Sequence, residues 1–237
     1  MRVPSNALLI SMSIVSAGCR SAAVHGVAHG ASASPRSTAP VDANRTCQMS
    51  VSQRSSNEGC WLTSEMPLGA LNGGPLFWHV YTYPTSEAAA AARGPRGAAA
   101  ESFGRHWTFT IEDASWRPIA GERVALIGPL SVRRLTPYTA RYMEAVFSPD
   151  YRLPPVGHRH SGAEAWYVVT GAQCLETPTG PIVVRAGEGS MVAAGPPMAI
   201  SVVGPETRRA VLLVLHPTAE PWMVSAPDWT PKGLCAR

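Results

Sequence analysis

The residues best suited to chemistry cluster in Gly157-His158-Arg159-His160-Ser161-Gly162-Ala163-Glu164. On a strand, side chains alternate between faces, so His158 and His160 point the same way. After the short Ser161-Gly162 turn, Glu164 re-enters beside them. Two imidazoles and one carboxylate suit a divalent transition metal such as iron, manganese, zinc or nickel, and leave coordination positions open for a substrate. Trp166, two residues beyond Glu164, shares its face and is placed either to stack on a ligand or to pack in the core. Tyr167 faces the other way, toward surface or interface.

The elements that must position these groups read as short strands. Candidate strands run over residues 142–147, with Met143, Ala145 and Phe147 on one face, then through the histidines, 166–169, around Cys174, 182–184, 202–203 and 210–216. Regular spacing and turn chemistry such as Thr177-Pro178-Thr179-Gly180 predict an antiparallel sandwich or barrel. The content of 21 Gly and 22 Pro agrees, because it favours turns over long helices. Upstream, residues 76–83 and 107–111 are strand candidates rich in aromatic and β-branched residues. Between them Ser86 caps a short helix over the alanines 88–92, stopped by Gly94-Pro95. This strand-helix-strand unit is expected to pack outside the barrel, with His79 and His106 as structural histidines. Adding the upstream strands 123–128 gives a mainly β chain, a closed jelly-roll barrel with an N-terminal elaboration.

The spacing resembles the first motif of the cupin family: His-x-His, three or four residues, Glu, six residues, Gly. His158, His160, Glu164 and Gly171 fit it without a gap, although Arg152 stands where the family has an earlier glycine. A second cupin-like stretch runs from Gly187 to Met198, with fifteen residues between Gly171 and Gly187. It departs from the family at Ala193 for a proline, Val202 for an asparagine and Met198 for the last metal-binding histidine. The resemblance implies a single cupin domain with His158, His160 and Glu164 as ligands. Met198, a soft and weak ligand, then becomes an apolar wall of the ligand pocket. His216 is an alternative nitrogen.

Composition bounds the rest. A chain of 237 residues with 45% hydrophobic content builds one good core. The net charge of +4 is concentrated in residues 1–60, which hold five Arg against two acids, so no basic face for nucleic acid is left. The N-terminus reads as an export signal: Arg2, an apolar run over residues 7–15, then small residues up to Cys19. Ser16-Ala17-Gly18-Cys19 also looks like a degenerate lipobox with Cys19 as the lipidated residue; the competing expectation is ordinary cleavage after Ala31 or Ala33. Residues 20–58 read as a flexible tether, in which His25 and His29 are compositional. Cys47, Cys60, Cys174 and Cys235 suit disulfides in an oxidising compartment. Three pairings are open, and Cys47–Cys60 with Cys174–Cys235 is preferred because the latter ties the tail to a strand.

The expected organisation is therefore an export signal (1–19), the tether (20–58), an elaboration with the first barrel strands (59–135), the cupin core (136–217) and a tail folded on the barrel (218–237). The expected function is binding of a divalent transition metal and a small organic ligand at the periplasm or cell envelope. Oxygenase, isomerase or lyase chemistry is one outcome, and a metal-free, non-catalytic ligand-binding module is the other. A small molecule is the expected partner, nucleic acid is not, the membrane is met only through a lipid anchor, and a homodimer is left open.

Overall fold

A computed structural model describes residues 47–72, 74–151 and 157–235. The expected export signal, Cys19, the cleavage positions, His25, His29 and most of the expected tether lie outside these residues. In chain order the strands are β1 (Gly59–Ala70), β2 (Leu76–Tyr83), β3 (Gly97–Ser102), β4 (Arg105–Glu112), β5 (Glu122–Leu130), β6 (Pro137–Phe147) and β7 (His158–His160). They continue with β8 (Ala163–Thr170), β9 (Ala172–Thr177), β10 (Gly180–Arg185), β11 (Gly189–Val192), β12 (Ala199–Val202), β13 (Arg208–Pro217) and β14 (Met223–Ser225). One α-helix, α1 (Ser86–Ala92), joins β2 to β3.

A five-stranded sheet, in the order β1-β6-β13-β8-β11, forms the central layer. Its two faces explain why β13 is buried almost throughout. On one face Met143, Ala145, Trp166, Val168, Ala210, Leu212 and Val214 pack with Leu175 and Val184 of the three-stranded sheet β10-β9-β12. On the other, Ala140, Tyr142, Ala165, Tyr167, Val211 and Leu213 pack against Trp78, Val80, Trp107, Phe109 and Ile111 of the four-stranded sheet β3-β4-β2-β5. Along the middle strands β13 and β8, alternation thus sends most side chains into one core or the other, and both faces there are covered. The strand-helix-strand unit packs on the outside of the jelly roll, as its aromatic strands imply.

Several details differ from the sequence expectations. Among the described residues the ladders are open sheets and do not close through hydrogen bonds into one ring. The chain crosses between sheets at Gly171, where φ of +69° turns β8 into β9, and a Cβ there would meet the Arg208 Cα at 3.0 Å. Tyr167 is buried, its ring 6.2 Å from that of Trp107, because its face of the sheet is covered. Thr85 caps α1, its side chain accepting from the Ala88 N–H at 3.2 Å, so Ser86 is the first helical residue. Strand β5, expected in the barrel, pairs instead with β2 in the outer sheet.

The short strand β7 stands apart from all three sheets. It pairs with β14, and His158 bridges Met198 through two backbone hydrogen bonds of 3.0 and 2.8 Å. The segment that carries β14 is held by several bonds. Arg159 donates to both Asp228 carboxylate oxygens, Ala226 N–H donates to the Gly157 carbonyl at 2.8 Å, and the Leu234 N–H donates to Glu176 at 2.8 Å. Two disulfides, Cys47–Cys60 and Cys174–Cys235, close loops of 13 and 61 residues.

Cys174–Cys235 anchors the far end of this segment to β9, so removing it frees the strand partner of the histidines. Cys235→Ser is expected to lower unfolding stability by about 2–4 kcal/mol. Urea denaturation under oxidising conditions measures it, and an unchanged midpoint would show that the bridge does not constrain the fold.

Candidate metal centre

Strand β7 offers His158 and His160, and the chain then reverses through Ser161-Gly162 to place Glu164 on β8. The reversal requires glycine, since a Cβ at Gly162 would lie 1.7 Å from the Leu215 carbonyl oxygen of β13. Close backbone approach therefore sets how far Glu164 sits from the two rings. One ligand atom from each of His158, His160 and Glu164 lies within 4.8 Å of the others. The imidazoles stand nearly perpendicular, with centroids 5.0 Å apart, and His160 Nε2 is 3.4 Å from Glu164 Oε2.

The donor atoms are prepared for a cation. His160 Nδ1 lies 2.8 Å from the Trp222 carbonyl oxygen, which can only accept, so Nδ1 carries a proton and, in the neutral ring, Nε2 presents its lone pair. That Nε2 is buried and has no hydrogen-bond partner. Orientation of a ligand histidine through its other nitrogen by a backbone carbonyl is the arrangement that raises its basicity toward a metal. Trp222 also stacks on the ring at 5.6 Å, and the Arg141 guanidinium lies 4.9 Å from the Trp222 ring centroid. The two nitrogens and one carboxylate oxygen fit a borderline divalent ion.

Burial, aided by His160, pushes the His158 imidazole down to about 4, so it is neutral at neutral pH. Burial alone would raise the Glu164 carboxyl, but His160, His158 and Arg208 outweigh it and hold the group below the usual carboxylate range. His158 is thus neutral and Glu164 ionised, the forms of imidazole and carboxyl that bind metal.

A cavity of about 110 Å³ opens on the triad, walled by Phe147, Leu175, Ile200, Arg208 and the Cys47–Cys60 disulfide. Trp166 and Met198, expected to line it, pack instead in the surrounding core. Trp166 shares the face of Glu164 and lies across from Leu212, which does line the cavity, but its own ring is buried in the core between the sheets. Met198 sits directly across from His158 and is fully buried. His216 turns Nδ1 to the Pro217 and Glu220 carbonyls and is not among the converging ligands. His79 is buried with Nε2 at 2.9 Å from the Asp113 carbonyl, remote from the triad in sequence and sheet. A wider groove of about 710 Å³, edged by Arg54, Glu101, Ser102 and Glu144, holds no such convergence of metal ligands among the described residues.

Sequence reasoning missed Arg208 and Trp222. Arg208 begins a strand beside another arginine, and its phase with Ala210, Leu212 and Val214 is the signal that turns it inward. Trp222 fixes His160 through its backbone carbonyl as well as its ring, and no side-chain pattern marks the carbonyl.

The stacked β-sheets, with a short histidine strand and the strand after it converging two imidazoles and a carboxylate, have the mainly β, jelly-roll architecture that the cupin resemblance implies. No family model and no curated protein matches the sequence. Among solved structures, a cupin-2 domain containing protein from Shewanella frigidimarina is 15% identical over 31% of this chain and 68% of its own, with a TM-score of 0.26. A Klebsiella pneumoniae protein with a double-stranded β-helix domain is 16% identical over 42% of this chain and 77% of its own, with a TM-score of 0.32. A cupin-like protein from Thermotoga maritima is 12% identical over 40% of this chain and 74% of its own, with a TM-score of 0.33.

The lowered His158 predicts a pH dependence in the metal-free protein. Between pH 6.5 and about 4 the unfolded chain takes up a proton that the fold refuses, so stability is full above this window and falls as pH drops through it. Denaturant midpoints measured across that range should decline for the wild type and decline less for His158→Ala. Parallel slopes would exclude His158 as the titrating group.

Proposed function

We propose that this exported cupin-fold protein holds a divalent transition metal through His158, His160 and Glu164 and takes a small organic ligand into the adjoining cavity. One observation carries the proposal: three ligand atoms lie within 4.8 Å, and the Nε2 of His160, with its tautomer fixed by Trp222, is buried without a partner. Leaving such a nitrogen without a hydrogen bond is costly, and an ion coordinated there would remove that penalty.

A bound ion supplies a Lewis-acid or oxygen-binding centre, the chemistry of oxygenases, isomerases and lyases that act on small molecules. The chain's own part is to orient and to exclude. Trp222 fixes the His160 ring, Gly162 fixes the height of Glu164, and Phe147, Leu175 and Ile200 keep the neighbouring space apolar. Glu164 is the one carboxylate of the triad, and unless the ion holds both its oxygens, one is free to accept a proton from a ligand.

Met198 favours a second reading, a metal-free module that binds its ligand directly. Opposite residues of an antiparallel pair share a face, with Cβ atoms about 5 Å apart. Met198 therefore occupies the place beside His158 where a fourth nitrogen would complete the coordination. Two disulfides support export to an oxidising compartment, and the apolar run over residues 7–15 supports the same destination. Cys19, outside both bridges, is the residue proposed for lipid attachment at the cell envelope.

Elemental analysis of untagged protein purified without chelator tests the metal. Near-stoichiometric iron, manganese, zinc or nickel is expected in the wild type and none in the His158→Ala, His160→Ala double variant. Metal in neither, even after reconstitution, would leave the metal-free reading. Met198→His is expected to raise zinc affinity tenfold or more, measured by chelator competition; unchanged affinity would show that the side chain does not face the ligands.

A further inference from the structure

The cavity beside the triad contains a cation that the fold leaves unpaired. Arg208 is fully buried, and among the described residues none of its three guanidinium nitrogens has a hydrogen-bond partner. The Phe147 ring lies 5.3 Å from the guanidinium carbon, and among the described residues no ion pair joins Arg208 to Glu164. A guanidinium offers five N–H donors in a rigid fork. Withdrawing all of them from water is among the most expensive arrangements a protein interior can hold.

Topology says where that fork points. On β13, Arg208 is in phase with Ala210, Leu212 and Val214, and Val214 lies directly across from Glu164 on β8. Arg208 and Glu164 therefore project from the same inner face, six strand positions apart at the level of Val214, or about 20 Å between backbones. Both long side chains reach the same cavity, so Arg208 enters from the end opposite the histidines. The space between them, about 110 Å³, accommodates about four water-sized groups. Its other walls, Phe147, Leu175 and Ile200, are apolar.

We propose that Arg208 is the recognition group for a ligand carboxylate, so that the ligand is a small carboxylic acid bound with its acid group on Arg208 and its other end toward the triad. A planar carboxylate matches the fork bidentately, satisfies donors that the protein does not, and neutralises the buried charge. The inference deepens the proposed function and rests on it for the triad-facing end of the ligand alone.

Propionate and propionamide, alike in size and different in charge, are the probes, titrated calorimetrically into wild-type protein with and without zinc. The wild type is expected to bind propionate at least tenfold more tightly than propionamide. Arg208→Gln is expected to abolish that preference while zinc stoichiometry stays unchanged, and Arg208→Lys, which keeps the charge without the fork, to restore part of it. Equal binding of the two probes by the wild type overturns the inference, as does a preference that survives Arg208→Gln. Should Arg208→Gln not fold, the wild-type comparison decides. The His158→Ala, His160→Ala double variant separates the two proposals. Preference retained without zinc sustains Arg208 whatever becomes of the metal; zinc bound without preference discards the carboxylate alone.

Discussion

The site depends on the pairing of a three-residue strand with a three-residue strand from the C-terminal segment. Strand β7 carries both histidines but has no place in the large sheets, and its partner β14 comes from more than 60 residues later. The hydrogen bond from His160 to the Trp222 carbonyl, just before β14, converts that pairing into chemistry. It selects the tautomer, aims Nε2 at Glu164 and turns one ring face to Trp222. An isolated pair of such short strands is unstable in water. The bidentate Arg159–Asp228 bridge, the Ala226–Gly157 hydrogen bond and the Cys174–Cys235 disulfide supply what the short ladder lacks.

The rigid partner of this assembly is the middle sheet. Covered on both faces, β8 and β13 cannot slip by one residue without sending every inward side chain to the opposite core. Glu164 therefore has a fixed height and a fixed face, and the Gly162 backbone packed on Leu215 transmits that position to the histidine strand. The four-stranded N-terminal sheet thus serves the site from a distance. Its Trp107 and Phe109 press on Tyr167 of β8 and on Tyr142, the neighbour of the cavity residue Met143.

What was legible in the sequence was local. The His158-x-His160 and Glu164 spacing, the Gly171 turn and the strand 76–83 each lie within a dozen residues and carry their geometry with them. What was not legible was set by distant partners. Strand β3 is alanine-rich and has helical propensity, yet Ala98 and Ala100 pair with Phe109 and Trp107, where small side chains leave room for bulky ones. Strand β1, with Thr63, Ser64 and Pro67 in its run, shows no clean alternation and is extended because it borders β6. Tyr167 reads as exposed only if the sheet has one wet face. Trp166 and Met198 share the expected faces, but the depth of the cavity depends on how both sheets curve, which alternation does not encode.

The polar groups of the inner face argue that this interior is organised for something other than stability. Leu, Ile or Val at position 208 would extend the apolar run of Ala210, Leu212 and Val214, and a fold selected for packing alone would place one there. Instead the strand begins its buried face with a guanidinium that burial pulls down to about 9, still cationic at neutral pH, and Glu164 supplies the nearest opposing field. Across the sandwich, Gln173 shares the inward phase of Leu175 and has neither amide atom paired. Local rules are broken here while the surrounding strands obey them, which is the pattern of a site whose polar capacity is meant for a partner. The triad and Arg208 offer complementary charge at the two ends of one cavity, so a ligand with a carboxylate at one end and a metal-binding oxygen at the other would satisfy both at once.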